Sequence, residues 1–159
     1  MPNAKIKPFL WFDNNLDDAI KFYKSVFKSN FKLESASRVG GKKTPIFMAE
    51  FTIFKQPYVA LNGGPMFKFN ESISMFISCV DQKEVDKYWK ALTSDGGQEG
   101  RCGWLKDKFG LSWQVIPKDL PKYMSHKNPE VAAYAQEAMM KMNKIIVKDL
   151  KMKAFKKKK

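Results

Sequence analysis

With 159 residues, 44% hydrophobic and 14% aromatic, the chain is long enough for one domain with a sizeable core, and its composition excludes a wholly disordered protein. The formal net charge of +13 hints at nucleic acid only until it is located. Lys141 to Lys159 holds nine lysines against Asp149, so eight of the thirteen charges lie there and the rest of the chain carries about +5. Two cysteines, Cys79 and Cys102, are too few for a disulfide framework and have no metal-ligand spacing, so free thiols are expected. No run approaches the roughly 18 apolar residues that cross a bilayer, and Met1 to Lys7 lack the apolar stretch of a secretory signal, so a cytoplasmic protein without membrane contact is expected.

In chain order, the apolar run 6–12 (IKPFLWF) predicts a buried strand ending at Asp13-Asn14-Asn15. A helix follows, with Leu16, Ala19, Ile20, Tyr23, Val26 and Phe27 on one face, Asn15 and Asp18 as a capping box, and an end near 28–30. Three strands are then expected over 32–39, 46–54 and 58–62, separated by Gly40-Gly41 and by Lys55-Gln56-Pro57. The second half repeats the plan. It has a strand over 73–80, a helix over 81–94 with an Asp81/Glu84 capping box and a Val85, Tyr88, Trp89, Leu92 stripe, and strands over 98–101, 103–106 and 111–116.

The halves superpose at an offset of 66 residues, with cap, stripe and aromatic pair recurring together, which predicts two βαβββ modules, about 5–64 and 72–117, within a tandem domain 1–117. The expected fold class is therefore α+β. After Pro117, helices are expected near 119–124 and from Pro129, the second with Val131, Tyr134, Ala135, Ala138, Met139 and Met142 on one face. Residues 118–150 should thus pack on the domain, and the lysine tail 151–159 should be disordered.

The segments PFLWFDNNLDDAIKFYKSVF, VALNGGPMFKFNESIS and GRCGWLKDKFGLSWQVIP resemble the PhnB-like branch of the glyoxalase–bleomycin resistance–dioxygenase (vicinal oxygen chelate) superfamily, a branch often labelled demethylubiquinone methyltransferase-like. The resemblance runs from about Lys5 to Met142. It implies two modules enclosing a mostly apolar, strand-lined pocket, often in a homodimer. It also implies where metal ligands of the superfamily would stand: first-strand positions fall on Pro8 and Ser74, and the last-strand carboxylate falls on Gln114. Proline offers no side-chain ligand, and the lone histidine, His126, lies beyond the repeats, so no metal and no cofactor are expected. A methyl donor normally needs a Gly-rich turn from strand to helix, whereas Gly40-Gly41 and Gly63-Gly64 both lead toward strands.

Candidate ligand-binding residues are Trp11, Asn62, Phe67, Phe69, Cys102, Trp104, Trp113 and Gln114. Asn62 and Gln114 are the polar anchors, since an amide both donates and accepts. Phe67 and Phe69 stack on a ligand or cover the core, and relatives often carry histidine where this chain has Met66. Cys102 is the only catalytic candidate, flanked by glycines and by Arg101, which favours thiolate, though a packed thiol fits the residues better. Of Phe9, Trp11 and Trp113, at least two should pack in the core. Asp107 and Gly110 suit a turn better than catalysis.

Three functions compete at this stage. The first is a metal-independent binder of a small organic ligand. The second is a metal- or cysteine-dependent enzyme of the lyase, isomerase, dioxygenase or transferase kind. The third is nonspecific nucleic-acid binding through the tail, which is disfavoured because Arg38 and Arg101 are the only arginines and lysine lacks the fork that reads guanine.

Overall fold

The two modules foreseen from the repeat are present in the computed structural model, which describes residues 4–151. The chain divides into two compact units, Met1–Phe69 and Asn70–Lys159, each built on its own four-stranded mixed sheet. No helix among the described residues is long and apolar enough to cross a membrane. All of the lysine tail except Lys151 lies outside the described residues.

In the first unit, β1 (Phe9–Phe12) runs parallel to β4 (Gln56–Asn62), and β3 (Ile46–Ile53) and β2 (Phe31–Arg38) follow antiparallel, giving the order β1-β4-β3-β2. The helix α1 (Leu16–Phe27) buries the foreseen stripe together with Phe22. Beneath it, Phe51 stacks on Tyr23, Phe31 and Tyr58 at ring separations of 6.3, 5.5 and 5.4 Å. Such aromatic contacts add to area burial and fix the sheet under the helix.

Several expectations are corrected in this unit. The first strand starts at Phe9 rather than at Ile6, because Pro8 has no N–H and Ile6 is exposed. The hairpin between β3 and β4 turns at Phe54-Lys55, both at positive φ, so Gln56 and Pro57 belong to β4 and not to the loop. Asn15 and Asp18 form no capping box: Asn15 makes no side-chain cap bond, and its Oδ1 is buried without a partner. The cap comes from β4 instead, where Asn62 Oδ1 accepts from Leu16 N at 2.9 Å and Asn62 Nδ2 donates to Ile46 O at 2.7 Å. Asp17 adds Oδ2 as acceptor for Ile46 N at 2.8 Å, an acidic first-turn residue facing the helix dipole.

The second unit repeats the plan as β5 (Met75–Cys79), α2 (Gln82–Leu92), β6 (Gln98–Glu99), β7 (Trp104–Lys106) and β8 (Ser112–Pro117), with order β5-β8-β7-β6. Leu16 and Gln82, the first residues of the two helices, stand at the 66-residue offset. Here the expected pair caps the helix with one shift from the standard box: Asp81 Oδ1 accepts from Glu84 N at 2.9 Å, but Glu84 Oε2 accepts from Val80 N, one residue before the cap, at 2.7 Å. Val85, Tyr88, Trp89 and Leu92 are all buried, as their spacing predicts.

Beyond β8, α3 (Leu120–Met124) and α4 (Pro129–Met140) follow, the second capped by Asn128 Oδ1, which accepts from Glu130 N at 2.9 Å. The expected stripe on α4 is weaker than its spacing suggests, since only Ala135 is fully buried and Tyr134 is exposed. The chain then returns across the unit as an irregular strap that closes in a 3₁₀ turn, Val147–Leu150. Ile145 and Leu150, both fully buried, join Ile116 and Leu120 in a small apolar cluster. Gln82 grips this strap from both sides, donating to Ile145 O at 3.1 Å and accepting from Val147 N at 2.8 Å. Lys144 pairs with Asp86 at 2.7 Å and holds that carboxyl below the usual range.

Candidate functional site

Strand alternation decides which side chains share a face of the sheet. In β8, Trp113 and Val115 face α2, whereas Gln114 and Ile116 face the other side of the sheet. Register carries that second face across the strands: Phe76 and Ser78 pair with Gln114 and Ile116, and Trp104 pairs with Gln114. Lying over this face, α3 and α4 leave a cleft of about 560 Å³, within the range of small-molecule sites. Its apolar wall is Phe76, Trp104, Ile116, Leu120, Met124 and Met139. Its polar groups are the Ser78 hydroxyl, the Cys102 thiol, the Gln114 amide and, on an exposed side chain, the Lys118 ammonium.

Gln114 is held by Ser74, whose Oγ accepts from Nε2 at 2.8 Å. Cys102 sits at positive φ, with its thiol directed to Met139 O at 3.6 Å and Met140 Sδ at 3.8 Å. The strained loop has a structural use. Arg101 donates to Met140 O at 2.6 Å, Cys102 N to Met142 O at 2.8 Å and Gly103 N to Asn143 O at 2.7 Å. The first of these donors satisfies a terminal carbonyl of α4, and the other two fasten the chain that leaves it. Glycine suits position 103 because its φ is +86°, and a Cβ there would also crowd the Val115 carbonyl oxygen at 3.1 Å. Cys79 is the inert thiol of the pair. It is fully buried, and desolvation with the nearby Glu84 and Asp81 charges pushes it up to about 12.

Of the eight residues singled out from the sequence, Cys102, Trp104 and Gln114 line this one cleft. Trp113 does not, since it lies on the opposite face, 2% exposed, with its indole N–H donating to Asp107 Oδ2 at 2.9 Å. The other four lie in the first unit. There Asn62 is occupied by capping α1, and Phe69 meets Phe12 edge-on at 5.3 Å. Trp11 donates to Gly64 O at 2.8 Å and meets Phe67 at 5.0 Å. Its ring leaves no room for a side chain at Gly63, where a Cβ would come within 2.2 Å. The expectation that two of Phe9, Trp11 and Trp113 are core fails, because Phe9 is 54% exposed and Trp11 only half-buried on the face of the sheet opposite α1.

Sequence reasoning missed the cleft residues Phe76, Ser78, Ile116 and Lys118. Alternation from Gln114 would have found Ile116, had the register of β8 been known. Asp107 is the turn residue foreseen: Oδ1 accepts from Phe109 N at 2.9 Å and Leu111 N at 3.1 Å.

A family model described as 3-demethylubiquinone-9 3-methyltransferase matches residues 4–116. The chain belongs to this family. The match ends at Ile116, so α3, α4 and the strap lie beyond it. No curated protein matches the chain. Among solved structures it is similar to a PhnB protein from Bacillus cereus that carries the same methyltransferase description, with 28% identity and a TM-score of 0.64 over 72% of this chain and 99% of that one. It is also similar to protein PA1353 from Pseudomonas aeruginosa, at 18% identity and a TM-score of 0.59, over 73% and 98% of the two chains. FosX, the fosfomycin resistance protein of Listeria monocytogenes solved with Mn(II) and a dihydroxypropylphosphonic acid, shares the fold at 16% identity and a TM-score of 0.51, over 71% and 90%. The fold is that of the vicinal oxygen chelate superfamily, with helices added after the second module.

Proposed function

We propose that this protein binds a small organic molecule in the cleft of its second unit, without a metal. The observation that carries this reading is the lining itself, a mostly apolar wall with a few polar groups on one face of a sheet, as ligand sites are usually built. The implied metal positions do not fit a divalent ion. Pro8 has no donor side chain, and the amide of Gln114 is bonded to the neutral hydroxyl of Ser74. Among the described residues no group of three His, Cys, Asp or Glu side chains converges.

Methyl transfer is not supported either. Neither Gly40-Gly41, between β2 and β3, nor Gly63-Gly64, after β4, opens a helix that would receive a nucleotide-like donor. A cysteine-dependent reaction lacks a base, since His126 is outside the cleft and Nδ1 accepts from Asn128 N at 3.1 Å. The assembly we propose is a homodimer, supported by the apolar face of the first sheet, where Phe9, Trp11, Val59, Leu61 and Met48 share the side opposite α1.

The neutral dye Nile red tests the cleft. One saturable site is expected per chain, and Ser78→Trp, which adds an indole to an exposed position in the lining, should weaken it at least about tenfold, as lost burial of a few apolar groups implies. Dye binding that is unsaturable, or indifferent to Ser78→Trp in a protein with unchanged circular dichroism, would contradict the reading.

A further inference from the structure

We infer that the ligand of this cleft is an amphiphilic carboxylate, an apolar body ending in one carboxyl group, with Lys118 receiving the anionic end. The inference rests on the proposed binding role and names its chemical class. Three observations carry it.

The first is charge. Among the described residues that line the cleft, Lys118 is the one ionisable side chain besides the Cys102 thiol, and none is a carboxylate. The acid next in sequence, Asp119, is bonded to Lys122 at 2.7 Å, and that bond, with a smaller contribution from the Lys118 charge, holds its carboxyl below the usual range. The ammonium of Lys118 forms no direct ion pair among the described residues, and the carboxylate that feels its charge, Asp119, is bonded to Lys122, so an entering anion breaks no direct pair. The cost of binding a charge there is accordingly low.

The second is position. Lys118 follows Pro117 at the end of β8, and its N–H donates to Cys79 O at 2.8 Å, so the backbone that carries the ammonium is fixed to the sheet. A carboxylate at that edge keeps contact with water while the body of the ligand lies along Ile116, Leu120, Met124 and Met139. An exposed ammonium suits this geometry, because a fully buried one would pay a large desolvation penalty.

The third is the wall. Met124 and Met139 are unbranched and adaptable, and they line the same cleft as the flat rings of Phe76 and Trp104. Such a wall accepts alkyl or aryl bodies of varied shape, so the charge at one end supplies most of the discrimination.

Decanoate and decanol, matched in chain and different in head group, test the inference by calorimetry on the full-length chain below their micellar range. Decanoate is expected to bind about three- to tenfold more tightly than decanol, the modest gain of a solvent-exposed charge pair. Lys118→Gln should abolish that difference, while Lys148→Gln, a change outside the cleft, should alter neither the preference nor Nile red binding. Ser78→Trp should remove decanoate binding, which separates the cleft from general attraction to a basic protein. Equal affinity for the two probes, or a preference that survives Lys118→Gln or Ser78→Trp, overturns the carboxylate assignment while saturable Nile red binding keeps the cleft. Failure of all three probes overturns both.

Discussion

Replacing Asp107 with alanine is expected to destabilise the second unit by about 3–5 kcal/mol, the range for breaking a buried charged network and orphaning its donors. The carboxyl group is 2% exposed. It accepts from two backbone N–H groups, of Phe109 and Leu111, and from the indole of Trp113. One side chain therefore closes the β7–β8 turn and fixes the largest buried ring of the unit. Asp107→Asn keeps the shape but loses one acceptor, so a smaller loss is expected. Urea unfolding followed by tryptophan fluorescence reads both variants, because Trp89, Trp104 and Trp113 belong to this unit. A loss below about 1 kcal/mol for Asp107→Ala would mean that the turn does not depend on this carboxylate.

Truncating Ile145 to alanine should cost about 2–4 kcal/mol, the usual range for removing a fully buried branched side chain. Its expected effect on binding is larger in consequence. Ile145 packs with Ile116 and Leu120, and both of these also line the cleft. Once that cluster loosens, α3 and α4 lose their seat on the sheet, and Nile red affinity should fall with stability. Ile145→Val, which removes one methylene, should cost only about 1 kcal/mol and preserve binding. If Ile145→Ala unfolds at the wild-type urea concentration, or binds dye as the parent does, the C-terminal strap is not what maintains the cleft.

Much of the fold is legible in the sequence because two periodicities coincide. Each helix carries a 3.6-residue stripe, and the whole plan recurs after 66 residues, so an error in one module is corrected by the other. The misses have local causes. Asn15 has the residue type and spacing of a cap, yet Asn62 takes the role, because a partner 46 residues away in sequence is brought to Leu16 N by the β1–β4 pairing. Only tertiary structure reveals that competition.

The site was less legible than the fold for a similar reason. Gln114 and Trp113 are neighbours in sequence but face opposite sides of the sheet, and a one-residue uncertainty in register exchanges core for cleft. The strap was hidden by its composition. Ile145 and Leu150 lie among Lys141, Lys144, Lys148 and Lys151, where charge dominates the local average and conceals two fully buried side chains. Arg101-Cys102-Gly103 supplies donors to Met140, Met142 and Asn143, a structural use of the tight backbone that its flanking glycines permit.

The central claim, a metal-free small-molecule site, is tested most directly on full-length protein purified without chelators, by elemental analysis and native mass spectrometry of one sample. The expected result is less than a tenth of an equivalent of any transition metal, about the level of adventitious binding without a built ligand set, together with a dimer carrying an organic mass that Ser78→Trp removes. One equivalent of manganese, zinc or nickel per chain, lost together with any retained mass on dialysis against a chelator, would contradict it.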